Sequence, residues 1–383
     1  MEEFSFYMPT RIVFQKNALE NVGTLVESFG EKCLVITDKA LINTGLLDPV
    51  FESLKSSDLK FEVWSDVVPN PRDVDIERGA EYAAIKGFDF LLTVGGGSAI
   101  DTAKAMAAII TNGGKCSDWY GNKLTKPIAP LVVIPTTCGT GSEVTHESIV
   151  NNTVTLEKDC IGGPFVSAVL TIIDPMVLKN LPAHIMSSTG VDALTHAVEA
   201  YVCKAANPIT DALAIRAIEL IGKSLIDAVE KRADESLEDV MIASTMAGAA
   251  FGNSDVASVH SISEALGGYY DIPHGVANSM MLAAVSRLSI PGAIKKYADV
   301  AKALGVETSS MTDEDAANAG VDYIEEMCTR LKIPKFSELE VVDRKDFERL
   351  ATTAANAYET NDNPVMMYKE DFIALFEKLY NQK

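Results

Sequence analysis

Four residues, Asp192, His196, His260 and His274, have the side-chain types and spacing of a divalent metal site. Asp192 and His196 stand four apart in the run Gly190-Val191-Asp192-Ala193-Leu194-Thr195-His196, whose pattern is helical, so their side chains point the same way. The chain has only five histidines, and three of them belong to this set. One Asp-x-x-x-His pair alone is more often a structural feature than a ligand pair. Here a second pair accompanies it: His260 opens a helical segment, a Gly267-Gly268 break follows, and a new helix starts near Pro273-His274-Gly275. One carboxylate with three imidazoles suits Fe(II), Zn(II) or a similar first-row ion, and ligand type does not choose among them. His146 and His184 lack comparable partners, and His184 is read as structural.

A second kind of chemistry is written around residue 96. The apolar run Leu91-Leu92-Thr93-Val94 passes into Gly95-Gly96-Gly97-Ser98, and a helix is expected from Ala99 onward with Asp101 in its first turn. A strand, three glycines and a helix N-terminus bring bare backbone N–H groups and a positive dipole end to one point, which suits a pyrophosphate. The spacing is not the G-x-G-x-x-G fingerprint, because position 100 is Ile100, and a ligand-free tight turn is the competing interpretation. A second loop, Pro135-Thr136-Thr137-Cys138-Gly139-Thr140-Gly141-Ser142-Glu143-Val144-Thr145, supplies hydroxyl and amide donors for a phosphate or ribose. Asp38 follows the run Cys33-Leu34-Val35-Ile36-Thr37, where a carboxylate can accept from both ribose hydroxyls and repel a 2′-phosphate, favouring NAD over NADP.

These residues have to be carried by two kinds of element. Residues 1–180 alternate apolar strand-like runs (33–37, 61–64, 90–94, 131–134, 170–173) with helical stretches, as in a mostly parallel α/β sheet covered on both faces. Residues 181–383 lose the strand signals and carry long helical periodicity, as in 210–229, 237–252 and 345–356, so an all-helical domain is expected. All four candidate ligands lie in that helical half, and a cleft between two closely packed domains is anticipated. The 383 residues are 47% hydrophobic, enough to bury two proper cores. With 33 basic and 54 acidic residues the net charge is −21, and no basic cluster tracks a phosphate backbone; nucleic acid and anionic membranes are excluded as expected partners. The acidic start Met1-Glu2-Glu3-Phe4 is unlike a signal peptide, and no apolar run reaches bilayer length, so a soluble cytoplasmic protein is expected. The six cysteines have no paired spacing and are read as reduced thiols, with Cys138 the one to watch for reactivity.

In its motifs the chain resembles the iron-containing (group III) metal-dependent alcohol dehydrogenases. The matches are Gly95-Gly96-Gly97-Ser98 with Asp101, Pro135-Thr136-Thr137 through Ser142-Glu143-Val144-Thr145, the run 190–201, and Pro273-His274-Gly275-Val276-Ala277-Asn278. Val68-Pro69-Asn70-Pro71 and Asp174-Pro175 also fit, and the similarity runs in order over residues 4–375. The resemblance implies a Rossmann-like N-terminal domain, 1–180, and a metal-holding helical domain, 181–383, the architecture shared with dehydroquinate synthase. It implies metal ligation by Asp192, His196, His260 and His274, with Fe(II) favoured and Zn(II) or Mn(II) as alternatives. It implies NAD contacts at Asp38, Asn70, Gly96, Gly97, Ser98, Asp101, Thr136, Thr137, Thr140, Thr145, Lys158 and Leu178, with Lys158 matched by counting back from Pro164 and Asp174. A homodimer or larger homo-oligomer is implied as well.

The chain departs from the family in one position. Many members carry a second histidine four residues after the third ligand, where this chain has Glu264. Glu264 is thereby expected on the ligand face with His260 and His274, as a proton relay, a substrate contact or a hydrogen-bond partner of a ligand. The expected activity is NAD- and metal-dependent oxidation of a small, polar primary alcohol or reduction of its aldehyde, with His146, Glu147 and Ser148 as further residues near the substrate. The alternatives are a glycerol-type polyol dehydrogenase, an NAD-using lyase of the same superfamily, and a metal- or NAD-binding protein without turnover.

Overall fold

The computed structural model describes residues 3–155 and 157–382; Met1 and Glu2 of the acidic start lie outside them. The chain forms two compact units, one of residues 7–137 and 141–180, the other of residues 1–6, 138–140 and 181–383.

The first unit is built on six strands, β1 (Arg11–Phe14), β2 (Lys32–Ile36), β3 (Lys60–Trp64), β4 (Phe90–Gly95), β5 (Leu131–Pro135) and β8 (Leu170–Ile173), in the order β1-β8-β5-β4-β2-β3. Every pairing in this sheet is parallel. Every residue of β4, β5 and β8 is buried, which explains why they read as unbroken apolar runs and not as alternating ones. The core between sheet and helices contains Leu34, Ile36, Ile76, Leu91, Ile100, Met106, Leu131 and Val133. Parallel strands put all their carboxyl ends on one side, so Asp38 after β2, Gly96 after β4, Thr136 after β5 and Asp174 after β8 share that side.

Three strands escaped the sequence expectation. β1 is a four-residue edge strand. β6 (Glu147–Asn151) and β7 (Lys158–Gly162) form a separate antiparallel hairpin, where Ser148 and Val150 point inward and their neighbours do not. Residues 147 and 148 thus begin a strand and not a surface turn: Ser148 is fully buried and its hydroxyl donates to the Asp101 carbonyl at 2.8 Å, Glu147 is exposed, and half-buried His146 packs its ring against Tyr7.

The second unit contains no strand among its described residues; its longer helices include Ala183–Val202, Pro208–Lys231, Asp234–Phe251, Ser258–Tyr270 and His274–Ser289. Helix Ala183–Val202 is buried nearly all round from Met186 onward, as befits the central helix of a bundle. Helix Pro208–Lys231 has its start written locally: the Asn207 side chain accepts from the N–H groups of Ile209 and Thr210, Thr210 returns the bond, and Pro208 fills the first turn. The Gly267-Gly268 pair does not break a helix. Helix Ser258–Tyr270 runs through it and stops at Asp271, which adopts the left-handed conformation (φ 53°) two residues before Pro273. Glycine inside a helix costs only about 1 kcal/mol, and burial of the preceding face overrides that. None of the described helices is long and apolar enough to cross a membrane.

Cysteines 33, 116, 138 and 203 are buried and free of disulfides, and burial pushes the Cys138 thiol up to about 11, which disfavours its thiolate.

Gly190 lies two residues before Asp192, where a Cβ would come within 2.2 Å of Leu225 Cδ1 on the neighbouring helix. Gly190→Ala is expected to cost about 1–3 kcal/mol by overpacking that crossing, measured by urea unfolding. A stability equal to wild type would mean that Leu225 finds a second rotamer at no cost.

Candidate metal and cofactor sites

The four sequence-selected residues meet. One potential ligand atom from each of Asp192, His196, His260 and His274 lies within 4.8 Å of all the others, and the first three residues are buried. Asp192 and His196 come from helix Ala183–Val202, His260 from the first turn of Ser258–Tyr270, and His274 is the first residue of His274–Ser289. The last helix approaches closely because Gly275 has no side chain: a Cβ there would stand 3.2 Å from the Ser188 carbonyl and 3.4 Å from Asp192 Cβ.

Two residues to which the sequence assigned no role organise the rings. Glu199, buried one turn after His196, accepts from the N–H groups of Ala257 (2.9 Å) and Val259 (2.7 Å) and from His260 Nδ1 (2.5 Å). That places the His260 proton on Nδ1 and leaves Nε2 as a donor atom for a cation. Asn278, fully buried, directs its amide nitrogen to Asp192 Oδ1 (2.8 Å) and lies 3.0 Å from Nε2 of both His260 and His274. His274 Nδ1 is 3.0 Å from the Ser263 hydroxyl. Both were visible in principle: Glu199 is a carboxylate three residues after His196 on the same helical face, and Asn278 follows His274 by four.

The electrostatics suit a cation. Burial pushes His196 down to about 4, so its ring is neutral at neutral pH. Its Nδ1 is buried without a hydrogen-bond partner, 4.0 Å from Asp192 Oδ1, and the ring stacks on Phe251 at 4.4 Å. Burial alone would disfavour the charged form of His260, yet the Glu199 hydrogen bond and the charges of Glu199, Asp192 and Glu264 outweigh it and move the group upward. Burial also opposes ionisation of Asp192; the rings of His196 and His274 and the Asn278 amide outweigh it, and the carboxyl is held below its ordinary value. An orphaned buried nitrogen, a buried carboxylate held below its ordinary value and a His260 ring held by Glu199 fit a divalent first-row ion.

Glu264 stands on the ligand side of its helix, with Oε1 3.6 Å from His274 Nδ1, beyond hydrogen-bond range. Both side chains are about one-third exposed (31% and 30%), which makes this the open side of an otherwise buried cluster.

The sheet unit holds most of the other predicted residues. The glycine-rich segment ends β4 and starts helix Gly97–Asn112 two residues earlier than Ala99, with Gly96 as its N-cap. None of Gly95, Gly96 and Gly97 has a positive φ, so close approach is what demands glycine: a Cβ on Gly95 would meet Ala99 Cβ at 2.5 Å, and one on Gly96 would meet Thr137 Cγ2 at 3.2 Å. A bare-backbone cradle at a helix N-terminus fits a pyrophosphate. Asp38 caps helix Lys39–Asn43 by accepting from Leu41 N at 2.7 Å. Asn70 is left-handed (φ 52°) between two prolines, Lys158 begins β7, and Leu178 is buried in the short 3-10 helix Pro175–Asn180. Thr136 is buried and Thr137 half-buried after β5. Thr140 belongs with the helical unit, because residues 138–140 pack there: a Cβ on Gly139 would meet Thr189 Cβ at 2.7 Å. Ser98 is half-buried in the first turn. Asp101 and Thr145 are not simply presented to a ligand: Asp101 Oδ1 accepts from Ser142 Oγ at 2.7 Å, and Thr145 Oγ1 accepts from Lys104 Nζ at 3.0 Å.

Comparison with known proteins agrees with this architecture. Residues 9–175 match the family model for iron-containing alcohol dehydrogenase, and residues 186–380 match the C-terminal model of the Fe-containing alcohol dehydrogenase family. The chain belongs to the iron-containing alcohol dehydrogenase family. It is 34% identical to the NAD-dependent methanol dehydrogenase of Bacillus methanolicus, covering 97% of this chain and 99% of that protein. It is 35% identical to the choline dehydrogenase of Bacillus subtilis (strain 168), covering 100% and 96%. A solved structure of a 1,3-propanediol oxidoreductase superposes with a TM-score of 0.96 at 34% identity, over 99% of this chain and all of that one.

Glu199→Gln is expected to lower affinity for a divalent cation roughly 10–100-fold, measured by chelator competition, because an amide cannot accept from His260 Nδ1 and both backbone N–H groups as a carboxylate does. Unchanged affinity would mean that packing alone orients the His260 ring.

Proposed function

We propose that this protein is an NAD-dependent, divalent-metal-dependent alcohol dehydrogenase or aldehyde reductase acting on a small, polar primary alcohol or its aldehyde. The observation that carries the proposal is the buried Asp192, His196, His260 and His274 cluster, with Glu199 holding His260 as a donor and Glu264 on its open side. The identity to dehydrogenases of methanol and choline supports the reaction class and a small substrate.

When bound, a divalent cation would lower the pKa of an alcohol hydroxyl and polarise a carbonyl, and the nicotinamide would accept or return hydride. The chain's own residues do the rest. Asp192 and the three histidines would hold the cation, iron(II) first among the candidates by family and zinc(II) or manganese(II) after it. Glu199 and Ser263 keep the rings of His260 and His274 oriented. The glycine cradle 95–98 and the hydroxyls of Thr136 and Thr137 would bind the dinucleotide phosphates, with Asp38 toward a ribose that bears no phosphate. Asn70, Lys158 and Leu178 are proposed to complete the cofactor contacts. Glu264, 3.6 Å from His274 Nδ1 and one-third exposed, is proposed to take the hydroxyl proton or bind a polar substituent of the substrate.

Protein stripped of metal and reloaded separately with Fe(II), Zn(II) or Mn(II) is expected to oxidise NADH with small aldehydes in a metal-dependent way, followed by absorbance. Tight NADH binding without turnover in any metal form would overturn the proposal. Glu264→Gln separates its two roles: as proton relay the variant distorts the kcat–pH profile, whereas as substrate contact it raises KM and leaves the profile intact. A variant that changes neither would remove Glu264 from the reaction.

A further inference from the structure

Lys104 sits in the middle of helix Gly97–Asn112 and is completely buried, among Ala103, Ala105 and Met106. Its ammonium donates to the carbonyls of Thr145 (2.8 Å) and Glu147 (2.7 Å) and to Thr145 Oγ1 (3.0 Å), so three donors meet three acceptors; Ser142 Oγ lies at 3.5 Å. One helical turn earlier, Asp101 accepts from Ser142 Oγ at 2.7 Å, and its carbonyl accepts from Ser148 Oγ at 2.8 Å. Segment 142–148 is thus held at several points by one helix, and that helix begins in the glycine cradle.

A lysine here is costly if all it does is fill space. Burial pulls its ammonium down to about 8 against the opposing charges of Asp101, Glu147 and Glu143. Methionine would fill the same volume without that cost. What the lysine adds is direction: its bonds tie two main-chain carbonyls to one helix, Thr145 at the end of the threonine-rich loop and Glu147 at the start of β6. The two loops also touch at their other end, where Gly96 leaves room for the Thr137 side chain.

We propose that Lys104 is a positioning residue that locks the threonine-rich loop onto the helix of the glycine cradle, so that both halves of the dinucleotide site are set in one geometry before the cofactor arrives. The proposal rests on the assignment of these loops to NAD(H). It makes NADH affinity, and not the chemistry at the metal cluster, depend on a buried ammonium that touches neither cofactor nor substrate.

The test uses the full metal-loaded protein with Lys104→Met, which keeps the reach of the side chain and removes its donors, and Ser142→Ala, which loosens the same clamp without emptying the core. NADH dissociation constants are read by fluorescence titration, with KM for NADH, kcat at saturating NADH, and bound metal measured alongside. Lys104→Met is expected to weaken NADH binding on the order of tenfold or more and to raise KM in step, with kcat and metal content within about twofold of wild type; Ser142→Ala shifts the same two quantities by a smaller factor. If Lys104→Met does not fold, Ser142→Ala decides alone. Wild-type NADH affinity in the folded variants, or a loss confined to kcat or metal content, overturns the positioning role. A wild-type protein that is folded and metal-loaded yet binds no NADH would instead sink the cofactor assignment, and the Lys104 proposal with it.

Discussion

The metal cluster depends on one buried carboxylate. Glu199 accepts from the ring of His260 and from two backbone N–H groups at the start of helix Ser258–Tyr270, so the same carboxylate that orients His260 also satisfies that helix's first turn. A buried carboxylate with this many donors is far from the uncompensated charge that a protein interior rejects. The arrangement ties the start of that helix and the orientation of the His260 ring to one carboxylate. Asn278 does the corresponding work for Asp192, from the last of the three helices that carry the candidate ligands.

Small residues let those helices come close enough for such bonds to form. Gly190 makes room for Leu225, Gly275 for the Ser188 carbonyl and Asp192, and Gly139 for Thr189. Each lies within a few residues of a group assigned to the site, so the motif glycines act mainly through packing. The sheet unit repeats the logic: Gly95 and Gly96 are there for proximity to Ala99 and Thr137, with ordinary backbone angles. Asp174 of the Asp-Pro motif is likewise structural, accepting from the N–H groups of Asn17, Leu19 and Met176.

Much of this was legible in the sequence because it rests on local signals. Five of the six sheet strands announce themselves as apolar runs, and Asp192 with His196 declares itself by helical spacing. What was hidden depends on partners far along the chain. β1 is too short to signal, and it exists because β8 pairs with it. The hairpin of β6 and β7 mixes polar and apolar residues whose alternation has meaning only once Ser148 is known to bond Asp101. The Gly267-Gly268 pair suggested a break that tertiary packing overrode. Glu199 lay in plain view within a recognised motif, but a carboxylate's partners across 58 residues of sequence cannot be read from spacing. Lys104 likewise looked like an ordinary helix residue until its burial was known.

The parallel pairing of β1 with β8 has a consequence for how the chain is made. Arg11 is hydrogen-bonded into register with Leu170, and the Thr10 hydroxyl donates to the Ala168 carbonyl. Strand β1 therefore has no partner in the sheet until residue 170 has followed it out of the ribosome. Over the same interval β2, β3 and β4, whose mutual pairings span shorter stretches, have all they need to associate. Strand β1 is thus made long before its one neighbour in the sheet, and that edge can close only once β8 has been made.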